Sequence, residues 1–522
     1  MMRPMLPASL RLRFGTLWFK IAVTILCIAL LKGTLEMVLR LLYELEGAYT
    51  GDSTMYWAMG RGILNGLVPY IDLYENKPPG IFLVSAASIF LTGGPYLGNI
   101  LQALILAIIP VLFAAFTWMH LSKRTFQFRI IVTGAALLTG MLFTLFLAER
   151  SGEFQVESFG AFFGILYAFL IAGPEFRRKE TKTALLALCI FLAVGFKEPF
   201  LLSLGAVGLI LSNHPKEFLR NFLIPLAIAA AVGVFSLVIL GYWKPYADIY
   251  LQLIFSRHLD NYGPWWQRGL EFRRVFRDLN AFAEPLGWIV LFLVTLSAFF
   301  PDRGKRNIPG RIFCIAKIAA AVTLLTTGIG LGGEFWNHHF AIGLPGYVAF
   351  FIVAIHPLAK SGYKWREWAC GVIALLSASG ISEVPRHYQD RLNFLLPEAA
   401  AAQAEANQID RILDACGVER YLFFGSNGPQ PYAFTKHSPE GPFFATFGPP
   451  NDYSFSPELP VLRNAFLETL HKARIAVVGQ YLLSDLTEYT RLYVEERFTE
   501  EPWECARSHL GQSRYRILFR KR

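Results

Sequence analysis

The sequence predicts a polytopic α-helical membrane protein that ends in a small α/β domain. Hydrophobic residues make up 54% of the 522-residue chain and charged residues only 17%, a balance too apolar for an ordinary soluble enzyme. The apolar residues gather in runs of membrane-crossing length, and the Lys and Arg gather in short clusters between them. From about residue 383 the runs stop, and short strand-like and helix-like segments alternate. These changes divide the chain into a membrane domain, 1–382, and a second domain, 383–522.

Arg3, Arg11, Arg13 and Lys20 precede or open an apolar span over about 18–41. Its length, with no small-residue cleavage site behind it, is expected of an uncleaved first helix with its N-terminus inside. The polar loop 42–79 then lies outside. Residues 80–92 are apolar but too short to span comfortably, and Gly93-Gly94-Pro95 stops them, so they read as a re-entrant or juxtamembrane helix. Further spans at about 97–119, 129–148, 157–173, 183–196, 199–212, 219–241, 285–300, 312–330, 340–356 and 367–382 bring the crossings to about eleven. Basic clusters check the orientation independently. If 80–92 does not cross, Lys123-Arg124, Arg177-Arg178-Lys179, Lys216 to Arg220, Arg303 to Arg306 and Lys360 to Arg366 all face the cytoplasm; if it crosses, all face out. The net charge of +10 is therefore a topology signal, and nucleic acid is not an expected partner.

In the second domain, 398–415 and Asn464–Lys472 read as helices, and Arg420–Gly425, Ala473–Gly479 and Arg514–Phe519 as strands. An odd number of crossings puts this α/β domain outside the cytoplasm. It holds neither a G-x-G-x-x-G nor a P-loop, so no nucleotide site is expected there. The six cysteines form no CxxC pair. Cys27, Cys189, Cys314 and Cys370 fall in apolar runs as small core residues, whereas Cys416 and Cys505 share the polar C-terminal region, where a disulfide is open to them if that region is extracytoplasmic.

The stretch from Gly51-Asp52-Ser53-Thr54-Met55-Tyr56 to Asn76-Lys77-Pro78-Pro79-Gly80 is charged and Gly/Pro-punctuated between two apolar segments. Asp52-Ser53-Thr54 is a helix-start signal, and Tyr56, Met59 and Ile63 follow at spacings of three and four, which predicts a short surface helix ended by Gly66 and Pro69. Asp72, Glu75 and Lys77 then precede a double proline that makes the loop rigid. The pattern Asp52…Tyr56…Gly66…Pro69-Tyr70…Asp72…Asn76-Lys77-Pro78-Pro79 resembles the first extracytoplasmic loop of the GT-C glycosyltransferases that use polyprenyl-phosphate sugars. That family includes protein O-mannosyltransferases, lipid A aminoarabinose transferases and rhizobial lipopolysaccharide galacturonosyltransferases, the last being most alike. The motif covers about 30 residues, and the hydropathy layout extends the resemblance over roughly the first 380.

The resemblance implies an inverting, metal-independent glycosyltransferase with no cofactor, embedded in the cytoplasmic membrane with its site on the outer face. It implies a polyprenyl-phosphate-linked sugar donor among the membrane lipids, and an acceptor hydroxyl on an envelope glycolipid, polysaccharide or protein. It makes Asp52 the catalytic base and Lys77 a contact of the donor phosphate, with Tyr56 beside them as a substrate contact. It also implies a second acidic residue, Glu157 first and Glu153 second, and a lysine near the donor, Lys197.

Each residue also has a plainer reading. Asp52 can serve only as an N-cap, and Lys77 can snorkel at the interface. Glu153 and Glu157 can belong to an internally paired loop neutralised by Arg150, and Lys197 can pair with Glu198. Arg257, His258 and Arg268 lie in the 242–284 loop among Tyr262, Trp265 and Trp266, a composition that suits sugar faces and phosphates as well as interfacial anchoring. His338 and His339 are adjacent and cannot both face one metal from a regular helix, so they are weighed as substrate contacts. The rival function is a transporter or flippase of a lipid-linked sugar, which would hold its charges near the bilayer midplane on broken helices. Here the candidates gather at one face.

Overall fold

A segment surrounded by hydrocarbon must satisfy its backbone polar groups internally, so the apolar runs fold as helices. With the short helix α2 (Gly51–Leu64), the helices are α1 (Ala8–Glu46), α3 (Gly80–Thr92), α4 (Tyr96–His120), α5 (Phe126–Ser151), α6 (Val156–Ala172), α7 (Lys179–Phe196), α8 (Phe200–Leu211), α9 (Pro215–Ile239), α10 (Ile308–Gly330) and α11 (Leu344–Ile355). This is a computed structural model, which describes residues 8–46, 51–75, 77–151, 154–173, 178–251, 308–331, 337–356, 401–424, 431–441, 460–479, 488–511, 513 and 515–521. Among these, Tyr96–His120, Phe126–Ala148 and Pro215–Ile239 are long and apolar enough to cross a membrane; α3, α6, α8 and the stretches Ile315–Gly330 and His339–Ile355 are shorter apolar helices. The spans expected at 285–300 and 367–382 lie outside the described residues.

The expected short helix after the double proline forms as α3, 13 residues closed by Gly93 in the left-handed region at φ 73°. The span expected over 199–212 is α8, whose 12 residues rise about 18 Å against a hydrocarbon core of about 30 Å. Pro199 starts it and Ser212 ends it. Helix α6 meets α8 so closely that a Cβ on Gly160 would lie 2.2 Å from the Phe200 ring. Rings from α4, α5, α6 and α11 meet at Phe113, with centroids 5.1 Å from Phe143, 5.3 Å from Phe169 and 4.7 Å from Phe351.

Connectivity sorts the ends of this bundle. The α4–α5, α6–α7 and α8–α9 connections, with Lys123, Arg124, Arg178 and Lys216, share one end. His120 Nε2 at the end of α4 lies 3.2 Å from His356 Nδ1 just past α11, so the 3₁₀ turn Asn337–Gly343 before α11 lies at the opposite end. That opposite end also carries the α5–α6 and α7–α8 connections and the segment 51–80.

The C-terminal part of the chain contains α12 (401–415), β1 (Arg420–Phe424), β2 (Ser438–Pro439), α13 (Pro460–Lys472), β3 (Ile475–Gly479), α14 (Glu488–Arg497), β4 (Phe498–Thr499) and β5 (Tyr515–Arg520). The sheet order is β2-β1-β3-β5-β4, with β1 and β3 parallel and β3 and β5 antiparallel. The three strands expected from the sequence are its centre, because their apolar runs are buried between the helices; β2, β4 and α14 carry too weak a pattern to have been foreseen. Cys416 and Cys505 form a disulfide that ties the turn after α12 to the 3₁₀ segment Glu504–His509. This C-terminal region packs on α2: Arg61 Nε donates to the Ala433 carbonyl at 3.3 Å and Asn65 Nδ2 to Ser438 Oγ at 3.0 Å, beside one apolar cluster that joins Met55 and Met59 to Ile409, Tyr421 and Tyr432.

Candidate functional site

Helix α2 begins at Gly51, so Asp52 lies in its first turn and not at the N-cap position that the sequence suggested. One turn on, Tyr56 is fully buried. Burial pushes its hydroxyl well above the usual phenol range, and the negative charges of Asp52, Glu157 and Glu75 push it further, in that order. Three carboxylates from three segments therefore surround one tyrosine. After α2 the chain turns at Gly66, φ 82°, and Asp72 Oδ2 accepts the Val68 amide at 2.8 Å, which makes Asp72 a brace of the turn. Tyr70 follows Pro69 in the left-handed region at φ 68°, a conformation that costs a non-glycine residue roughly 1–2 kcal/mol. Lys77 Nζ lies 3.9 Å from Glu75 Oε1 and stays partly exposed.

The Pro79-Gly80 corner brings this loop onto a second one. A Cβ on Gly80 would lie 2.5 Å from the Gly195 carbonyl oxygen, so α3 starts with its backbone against the end of α7. Two residues later, Lys197 forms an ion pair with Glu157 at the start of α6, both side chains almost wholly buried. Burial pushes the Lys197 ammonium down from the usual lysine range; Glu157 opposes that, Lys77 adds to it, and Asp52 opposes it weakly. Lys197 thus pairs with Glu157 and not with its neighbour Glu198. Glu198 instead accepts from the Tyr250 hydroxyl and from Tyr246 at 3.4 Å, and burial holds its carboxyl above the usual range against both bonds.

Glu157 is held by the turn before it. Phe154 sits at φ 47°, its ring stacked on Trp57 of α2 with centroids 4.0 Å apart. Gly98 of α4 leaves room for the pair, since a Cβ there would come 2.4 Å from Trp57. The Gln155 amide donates to Gln102 Oε1 at 3.0 Å, Gln102 Nε2 donates to Glu44 Oε2 at 2.6 Å, and Glu44 pairs with Arg40, which donates to the Ala148 carbonyl at 2.8 Å. Tyr56 closes the chain by donating to Gln155 Oε1 at 3.4 Å. Sequence reasoning missed this buried network. Its one signal was Glu36, Arg40 and Glu44 at intervals of four near the end of the first span, where charges are expensive unless paired.

The structure therefore brings together Asp52, Tyr56, Lys77, Glu157 and Lys197, and adds Glu75. His339 is buried in the 3₁₀ turn that packs on α5, α6 and α10 at the same end. His338 lies in that turn and Arg150 in the last turn of α5. Glu153, Arg257, His258 and Arg268 lie outside the described residues. The arrangement offers carboxylates to take a proton and ammonium groups to hold an anion, on a wall of tyrosines at one end of the bundle.

No protein-family model and no curated protein matches the chain at the sequence level. Solved structures do match. The crystal structure of ArnT from Cupriavidus metallidurans bound to undecaprenyl phosphate is similar at a TM-score of 0.51 and 13% identity, covering 94% of this chain and 97% of that one. The Archaeoglobus fulgidus oligosaccharyltransferase complex with zinc and sulfate gives 0.43 and 13% over 91% of this chain and 71% of that one. Apo ArnT gives 0.38 and 14% over 97% and 98%.

Proposed function

From a GT-C fold and a cluster of three carboxylates and two ammonium groups at one end of its helix bundle, we propose that the chain is a membrane glycosyltransferase. It takes a monosaccharide from a polyprenyl phosphate and transfers it to a hydroxyl of an envelope glycolipid, polysaccharide or protein. The observation that carries this reading is the meeting of Asp52, Glu75 and Glu157 around Tyr56 and of Glu157, Lys77 and Asp52 around Lys197, from segments far apart in sequence. The solved ArnT structure holds undecaprenyl phosphate, and that supports a lipid phosphate as the ligand of this cluster.

In the proposed reaction Asp52 accepts the proton of the acceptor hydroxyl as its oxygen bonds to C1 of the sugar. The C1–O bond to phosphate breaks from the opposite face, and the electron pair leaves with the polyprenyl phosphate. One carboxylate suffices because the leaving group is already an anion, whereas glycosidases need a second carboxyl as acid. Lys77, partly exposed, meets the phosphate as charge develops on it, and Lys197 adds a second positive charge deeper in the site. Glu157 keeps the Lys197 ammonium charged and in position. The basic clusters at the opposite end of the bundle support an outer-face site, as does the Cys416–Cys505 disulfide, which suits an oxidising compartment. The test is transfer from polyprenyl-phosphate sugars by purified protein, with Asp52→Asn as the control.

A further inference from the structure

Tyr70 combines features that a core aromatic does not need. It is fully buried, yet its backbone lies at φ 68°, which L-residues with large side chains rarely adopt. Its hydroxyl donates at 2.8 Å to the backbone carbonyl of Lys77, seven residues on, and its amide donates at 2.8 Å to the Leu73 carbonyl. These two bonds tie Tyr70 back to Leu73 and to the Lys77 backbone. The ring is gripped from outside the loop. Tyr250 meets it at 4.9 Å between centroids and Tyr246 edge-on at 5.9 Å, and those two rings stack on each other at 4.7 Å. Both of their hydroxyls donate to Glu198, next in sequence to Lys197.

We propose that Tyr70 is the positioning residue of Lys77: its hydroxyl fixes the Lys77 carbonyl, and the Tyr246–Tyr250–Glu198 hub fixes Tyr70, so that both ammonium groups face one phosphate. This rests on the donor-phosphate role given to Lys77 above. A lysine on a free loop samples many directions and loses affinity to that freedom; one whose backbone is tied beside Pro78 and Pro79 does not. The same hub anchors the start of the segment after α9 to the α7–α8 junction, so the separation between Lys77 and Lys197 is set by side chains that need not touch the ligand. A tyrosine that only fills space would be matched by phenylalanine. A tyrosine that positions would not.

The experiment compares wild type, Tyr70→Phe, Tyr250→Phe and Lys77→Ala as full-length purified proteins, reading undecaprenyl phosphate binding, the donor KM and kcat of transfer, and thermal stability. Tyr70→Phe keeps the ring and leaves a half-buried carbonyl without its donor, so affinity for undecaprenyl phosphate falls about tenfold and donor KM rises by a similar factor, with kcat changed less. Tyr250→Phe shifts binding in the same direction by a smaller factor. The inference is overturned if Tyr70→Phe binds and turns over like wild type while Lys77→Ala loses binding, or if Tyr70→Phe loses only thermal stability. Wild-type protein that neither binds undecaprenyl phosphate nor transfers sugar would instead remove the glycosyltransferase reading, and this inference with it.

Discussion

The Glu157–Lys197 ion pair can be broken from either side, and the two breaks are not equivalent to removing both partners. The side chains are 1% and 9% exposed, so a charge left alone there is desolvated and uncompensated. Removing one partner of such a pair costs about 3–5 kcal/mol, whereas replacing both with apolar or neutral groups of similar size is close to neutral. Glu157→Gln and Lys197→Met should each lower stability by that order, and the double variant should cost no more than about half as much as either single, a coupling of at least about 4 kcal/mol. The assay is a double-mutant cycle on thermal unfolding of the detergent-solubilised protein, each variant against wild type in the same micelle. Activity adds a second readout with a definite sign. Burial already pulls the Lys197 ammonium down and Glu157 is the main force opposing it, so Glu157→Gln lets the ammonium lose its proton at lower pH. If transfer requires that charge, the alkaline limb of the rate profile moves to lower pH in Glu157→Gln. Two single variants as stable as wild type, with additive effects in the double, would refute the buried pair.

Asp52→Asn should leave the folded protein and its binding of polyprenyl phosphate intact while transfer falls by about 10²–10⁴-fold, because the amide cannot accept the acceptor proton; single-turnover assays measure it. Lys77→Ala should weaken donor binding and slow transfer together, and Lys77→Gln should do nearly the same; a Gln variant that behaves as wild type would return Lys77 to interfacial snorkelling. Gly160→Ala should destabilise the bundle by about 1–3 kcal/mol, since its Cβ would meet the Phe200 ring at 2.2 Å; thermal unfolding reads it. The disulfide closes a loop across 89 residues, so Cys416→Ser should destabilise the second domain by up to about 4 kcal/mol, read by protease sensitivity of that domain.

Much of this site was legible because its residues announce themselves by cost. Asp52, Lys77 and Lys197 are charges at the edges of apolar runs, and the double proline and Gly80 mark a chain made to approach another backbone. The helices were legible for the same reason, since apolar length alone forces helix. What the sequence left hidden is pairing across distance. Lys197 has a carboxylate next to it in sequence, yet it pairs with Glu157, forty residues away, because α7 is aimed by backbone contact at Gly195. Tyr246 and Tyr250, which grip Tyr70, carry no signal of their own in the sequence, and only the fold draws their hydroxyls together on Glu198. Likewise Gln102 and Gln155 carry no charge to flag them, and only the fold makes them neighbours.

Transfer of sugar from a polyprenyl phosphate can be watched on both products at once. Purified protein in lipid is given undecaprenyl-phosphate-linked sugars and envelope glycolipid extracted from cells lacking the protein, and the products are resolved by mass spectrometry. The expected products are an acceptor heavier by one sugar residue and one undecaprenyl phosphate released per bond formed, and neither forms with Asp52→Asn. Donor that crosses the bilayer chemically unchanged, with no new glycosidic bond on any acceptor, would instead make the protein a transporter of lipid-linked sugar.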